Sequence, residues 1–504
     1  MQTITIVGGG TAGWISAAVL AKGLPGDAFE IKLIESPNIP TVGVGEATIP
    51  PIIQLLKYLE LDEAEFLAHI EGTYKYGIHF ENWSKPSESY MHAFGVLGTD
   101  YQDIAFSDLW LAYANKLNIK NLTDFIPSAV AAYQNRFCPA LPIPDSSNPN
   151  AFFPLSNLFY AFQFDAGLLA NYLKQYSKKL GVKHIQANVE SVQVKAGKQI
   201  ESVMLDSGIE VKADYFVDCS GAKGLLSKQA LAIEFDNWQA YLPCDRAIAV
   251  QTENLADIAP YTKSIAMSSG WRWQIPLRSR MGNGYVYSSQ FLSDDQALSE
   301  LTQALESKTI TEPKQLRFET GCLQTPWFNN CIAIGLSSGF LEPLESTSIH
   351  LIHKYAVKLK NSLLHGVYMQ EEAQQFNLAF KQDALDIRDF LVAHYHITER
   401  QDSQFWRYCK NMPIPESLQQ KLAEFSATGK ISLKKDALFS YGSWLQLLVG
   451  QGYIKATPGQ FDGLIQSANT PSVEQAKLFF DNVKYAISQE VKRIPKHQAY
   501  LKLN

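Results

Sequence analysis

Apolar and polar residues alternate at several places along the chain, and each place predicts a strand. Residues 3–7, TITIV, are one, and EIKLIES, ending near Glu35, is another. In GTYKYGIHFENW (72–83), Tyr74, Tyr76, Ile78 and Phe80 fall on one side, and Lys75, Gly77, His79 and Glu81 on the other. RAIAVQTE, SIAMSSGWRWQIPL and GYVYSSQF repeat the pattern between residues 230 and 320. WISAAVLAK has helical spacing. DYFVDCSGAKGLLSKQ (214–229) and NNCIAIGLSSGFLEPLESTSIHLIHKYAVKL (329–359) each give a strand, a small-residue turn and the start of a helix. In WRWQIP, strand geometry puts Trp271, Trp273 and Ile275 on one face, with Arg272 and Gln274 opposite.

The first of these elements carries a glycine pattern. Gly8, Gly10 and Gly13 form G-x-G-x-x-G between strand and helix, with Thr11 and Ala12 inside it. Gly8 permits the tight turn, Gly10 lets the backbone approach a pyrophosphate at the helix N-terminus, and Gly13 allows close helix–strand packing. Glu35, about twenty residues on, is placed to accept hydrogen bonds from ribose hydroxyls. The context predicts a dinucleotide site. Distant strand–turn–helix units returning to an N-terminal nucleotide fold point to FAD, and no second glycine motif marks a separate NAD(P)H domain. The expected fold class is α/β with a Rossmann-like FAD-binding core, of the large FAD-dependent monooxygenase type, with an inserted substrate-side sheet and a mostly helical C-terminal region. The division expected is 1–365 for the FAD module and 366–504 for the helical region. Segments 72–155 and 230–320 contribute to a substrate chamber that the C-terminal region closes.

Bulk properties narrow the partners. The 504 residues, 46% hydrophobic with a net charge of −6, carry no basic block, which argues against nucleic-acid binding. The six cysteines are scattered without a C-x-x-C pair, so neither a zinc site nor a disulfide framework is expected. His350 and His353 have helical spacing but no third ligand of matching pattern, so no metal is expected. The N-terminus enters a strand directly, and no apolar run reaches bilayer-spanning length. A soluble cytoplasmic protein with no membrane contact is the expectation.

Several segments together resemble the flavin-dependent halogenases of the tryptophan-halogenase family. These are GGGTAGW with Trp14 after the third glycine, GVGEAT (Gly43, Val44, Gly45, Glu46, Ala47, Thr48), YKYGIHFENW, WRWQIP and GLSSGFLEPLEST (335–347). The likeness runs from Gly8 to about residue 455. It implies that GVGEAT, Gly335 and Leu336 line FAD, that Lys75 and Glu345 are catalytic, and that Thr347 and Ser348 hold the halide. Glycine is the commoner residue at position 348 in the family. Trp271 and Trp273, which in an arbitrary protein would be core packing, become the wall that keeps substrate from flavin. His92 and Phe94 in YMHAFG, with Phe405 and Trp406, are the implied substrate-binding residues.

The implied chemistry begins with FADH2 and O2 giving a flavin C4a-hydroperoxide, which chloride or bromide attacks to yield hypohalous acid. That acid passes through the interior to Lys75, which either forms a haloamine or activates it by hydrogen bonding, and an electron-rich, indole-like aromatic is halogenated. Glu345 takes the ring proton or polarises the halogen donor. A separate NAD(P)H-dependent flavin reductase is the implied partner, and the oligomeric state is open between monomer and homodimer. In relatives acting on free tryptophan, a glutamate four residues before the phenylalanine matching Phe405 helps hold the amino acid's charged end. Here Gln401 stands there, with Glu399 nearby, which puts free tryptophan in doubt. The alternatives are a flavin monooxygenase that hydroxylates its substrate and a flavin-binding relative that has lost catalysis.

Overall fold

The strand that opens the chain, Gln2–Val7, lies inside a six-stranded sheet. The computed structural model describes residues 1–39, 45–145, 151–366, 369–454 and 460–503. They form two compact units, each assembled from three stretches of chain. The first comprises 1–72, 164–239 and 317–385; the second comprises 73–163, 240–316 and 386–504. The contiguous division expected at residue 365 is therefore not how the chain clusters. Sheet pairing brings distant stretches together, and the long helix Met369–His396 spans the last boundary between stretches, at 385/386.

In the first unit the sheet order is Trp327–Phe328, Cys331–Ala333, Tyr215–Asp218, Gln2–Val7, Phe29–Glu35, Lys183–Gln186. All neighbours are parallel except the first pair. Parallel strands are buried on both faces, so Gln2–Val7 is apolar from Ile4 onward except for a buried Thr5. The helix Thr11–Gly23 packs on Ala166–Lys179 and on Ser348–His365. Asp218, fully buried at the end of its strand, accepts bonds from the amides of Ser220, Leu226 and Ser227 and from two serine hydroxyls. That network forms the turn read from sequence as strand–turn–helix; the helix is one π-type stretch, Leu225–Ala230.

The second unit holds a seven-stranded sheet in the order Lys314–Arg317, Arg246–Thr252, Met281–Tyr287, Gly270–Pro276, Thr262–Ala266, Gly77–Glu81, Ser89–Ala93. These are the strands expected from 230–320, joined by the second half of the run GTYKYGIHFENW (72–83). That run does not stay in one sheet. Thr73–Lys75 pairs antiparallel with Ala161–Phe164, and the chain changes sheets at Tyr76. The Tyr76 amide donates to Pro260 and its carbonyl accepts from Phe94. Lys75 is thus the last residue of a short strand beside a sheet junction, where burial on both faces replaces the simple alternation.

Candidate functional site

The three glycines of the first turn differ in their surroundings. Gly8 sits at φ +118°, and a side chain there would meet the Cys219 carbonyl at 2.1 Å. A side chain at Gly13 would meet the Gly8 carbonyl at 1.9 Å. Gly10, the residue capping Thr11–Gly23, faces open space, and among the described residues no side chain caps that helix start. Uncapped amides behind an open glycine fit a pyrophosphate. Glu35 is held by Lys174 and His184, each at 2.8 Å. Gly43 and Val44 lie outside the described residues. Gly45 has φ +85°, Glu46–Ala47 is a short strand, and Thr48 is buried. The Glu46 carboxyl group is enclosed by protein, which pushes it up to about 7.

Further along the first unit, Gly335 stands at φ +81°, and a side chain there would lie 2.6 Å from the Ala12 β-carbon, so the two loops pack closely. The chain then turns through Pro343–Glu345, passes Ser346 in the left-handed region, and enters the helix Ser348–His365. Glu345 is 1% exposed. Thr347 is equally buried, and its hydroxyl has no partner among the described residues. Gly335, Leu336, Thr347 and Ser348 line one cleft, together with Gly321 and Tyr355. Gly335 and Leu336, expected at the cofactor, thus lie beside Thr347 and Ser348, expected at the halide. A neighbouring small recess holds Thr48, His350 and His353. Burial pushes the two histidines down to about 3 and about 4, so they are neutral there. Among the described residues no cluster of His, Cys, Asp or Glu could hold a metal ion.

In the second unit Lys75 is 0% exposed, with its Nζ 5.4 Å from the centre of the Phe94 ring. The tyrosines on either side anchor it. Tyr74 stacks on Phe137 at 4.0 Å, and the Tyr76 hydroxyl donates to the Cys138 carbonyl while accepting from the Cys138 amide. His79 pairs with Glu81 at 3.2 Å. All seven residues of Gly270–Pro276 are buried, and the Trp271 and Trp273 rings lie 6.3 Å apart. On the opposite face, Arg272 and Gln274 both donate to Glu306, and Arg272 also to the Ala304 carbonyl. One contributor escapes the pattern reading. Gly284, paired with Trp273, leaves space that the indole fills: a side chain at 284 would lie 2.1 Å from that ring. The signal was the glycine alternation in MGNGYVY opposite the tryptophans.

The other substrate candidates sit in aromatic packing. His92 is buried against Phe390 and Phe439. Phe405 and Trp406 are fully buried with Tyr395 and Trp83, and the Trp406 N–H donates to the Met267 carbonyl at 2.7 Å. Gln401 is exposed, and its carbonyl holds Arg407. The Glu399 carboxylate is taken by Lys85 at 2.7 Å.

Residues 3–467 match the family model described as tryptophan halogenase. The chain is 35% identical to tryptophan 7-halogenase RebH of Lentzea aerocolonigenes over 88% of its own length and 86% of the relative's. Two solved structures superpose with a TM-score of 0.91 over all of this chain: Xcc4156, a flavin-dependent halogenase from Xanthomonas campestris, and BrvH, a flavin-dependent halogenase from Brevundimonas sp. BAL3. Their identities to it are 36% and 37%, and the match covers 98% and 99% of those chains.

Proposed function

Because the chain belongs to the tryptophan halogenase family and is a flavin-dependent halogenase, we propose that Lys75 handles the halogenating species and that the substrate is an indole-like aromatic rather than free tryptophan. The observation that carries the first assignment is the complete burial of Lys75 against Phe94, in the same unit as the buried W-x-W-x-I-P strand. Arginine would not serve there, since guanidinium keeps its charge and cannot act as a nucleophile.

When bound, reduced flavin with dioxygen supplies the oxidising equivalent that turns chloride or bromide into hypohalous acid. The Gly10 turn and the helix amides behind it would hold the pyrophosphate, and Glu35 a ribose. Gly335 and Leu336 would line the flavin, and the amides of Thr347 and Ser348 would hold the halide. A serine at 348 supplies the same amide as the family's glycine. Lys75 then either hydrogen-bonds the hypohalous acid or takes its halogen, forming an N–X bond as the O–X bond breaks and water leaves. The aromatic carbon attacks the halogen, the bonding pair returns to nitrogen or oxygen, and Glu345 accepts the ring proton. A separate NAD(P)H-dependent reductase supplies the reduced flavin, in keeping with the single glycine motif.

The substrate assignment rests on charge. Gln401 is neutral and exposed, and the nearby Glu399 is committed to Lys85. Neither is set to pair with an α-ammonium group. The test is incubation with FADH2, oxygen, bromide and a panel of indoles with and without an amino-acid side chain. Brominated indole should form with kcat/KM at least equal to that of tryptophan, and Lys75→Ala should lose at least about a hundredfold in product while still binding FAD. Hydroxylated product alone, or an active Lys75→Ala enzyme, would sink the reading.

A further inference from the structure

The strand bearing Lys75 is paired through Thr73 and Lys75 with Ala161–Phe164, and the Tyr74 amide points away from that ladder. At an unprotected sheet edge such an amide needs an acceptor, because a buried N–H left unmade costs as much as a lost hydrogen bond. It donates to a side chain: the Nε2 of His497, at 3.2 Å. The other ring nitrogen, Nδ1, lies 2.8 Å from the Ile258 carbonyl and donates to it. His497 is 0% exposed, so both bonds are shielded from water. A single neutral tautomer satisfies both contacts, with the proton on Nδ1 and the lone pair on Nε2 facing Tyr74. Burial pushes the imidazole down to about 4, so that lone pair is kept at neutral pH.

The segment that brings His497 is itself fastened to the same neighbourhood. The His497 amide donates to Asn135, the Phe137 amide to Pro495, and Arg136 to the Ile494 carbonyl. The Tyr500 ring lies edge-on to both Tyr74 and Phe137, at 5.4 and 5.1 Å. The aromatic that Tyr74 stacks on is therefore held by the same C-terminal turn that binds the Tyr74 amide. Residues 494–501 all lie beyond the stretch matched by the family model, which ends at 467.

We propose that His497 is a positioning residue for Lys75: its imidazole takes the place of a neighbouring strand at the edge of Thr73–Lys75 and fixes the backbone from which the amine projects. This rests on the assignment of Lys75 above. A one-residue lever is short, and misplacement by an ångström suffices to uncouple a reacting group. Hypohalous acid would still be made but would escape instead of reaching the aromatic.

The experiment compares His497→Ala, His497→Gln and Lys75→Ala with the parent enzyme. Amide hydrogen exchange at Tyr74 is measured on the flavin-free protein. Brominated indole per FADH2 is then measured alongside hypobromous acid captured by a soluble trap. His497→Ala should speed Tyr74 exchange by about tenfold, lower bromoindole per FADH2 to a comparable degree, and raise trapped hypobromous acid. His497→Gln, which keeps an acceptor for Tyr74, should recover at least half of the product. Unchanged Tyr74 exchange in His497→Ala would overturn the proposal, as would product and trapped acid falling together. If the alanine variant does not fold, His497→Gln decides: parent-like exchange and coupling support the proposal, and parent-like exchange with lost coupling overturns it. An active Lys75→Ala enzyme would refute the parent assignment separately, since the exchange readout does not depend on it.

Discussion

Glu46 shows how little of a residue's chemistry its letter discloses. In the sequence it is one member of a flavin-lining motif. In the structure its carboxyl group is enclosed and is pushed from 4.5 up to about 7. A raised carboxyl favours the protonated folded state, so stability declines as pH rises from about 4.5 and the loss is complete above about 7. The penalty at pH 8 is up to about 3 kcal/mol, and less to the extent that the accessible part of the residue keeps the carboxylate hydrated. Glu46→Gln in the flavin-free protein should therefore raise unfolding free energy at pH 8 and change it little at pH 5. Urea titrations at the two pH values check this; the same offset at both would mean the carboxyl is not shifted. Lys75 and His79 make the complementary point. They share a strand face in the pattern, but only Lys75 is wholly buried, and the motif around it, not the alternation, singled it out.

Elements with a clear period were legible, and the devices that connect them were not. The sheet strands Gln2–Val7, Phe29–Glu35 and Gly270–Pro276 lie where alternation or apolar runs put them. The run at 72–83 reads as one strand, but it serves two sheets, because pairing partners far away in sequence decide where a strand ends. Gly284 belongs to the same class of hidden feature. Its lack of a side chain makes room for the Trp273 indole and for the Ile248 carbonyl, 2.7 Å from where a β-carbon would lie. Gly284→Ala must push aside a buried ring between paired strands, at a cost of about 1–3 kcal/mol. Chemical denaturation should register that loss, with a shifted tryptophan emission in the native state. Native stability and emission equal to the parent's would show that the ring has another place to go.

At the scale of the whole chain, the glycine-motif turn and Lys75 belong to different compact units, each built from three separated stretches. Local sequence cannot reveal that partition, because it is made by long-range pairing; His497 acts on a strand more than four hundred residues away for the same reason. The cysteines are a property of both units that composition did foreshadow. All six are free and buried. Burial pushes the Cys138 thiol up to about 11 and the Cys219 and Cys331 thiols higher still, so little thiolate exists at neutral pH. An enzyme that makes hypohalous acid gains from this, since thiolate on an accessible surface is the form most readily oxidised. Native protein should give a near-zero titre with a disulfide thiol reagent over minutes, and denatured protein all six. The denatured titre should also persist after turnover with bromide and an aromatic substrate. A rapid native titre, or a denatured titre that drops during coupled turnover, would show that the fold does not shield its thiols from its own oxidant.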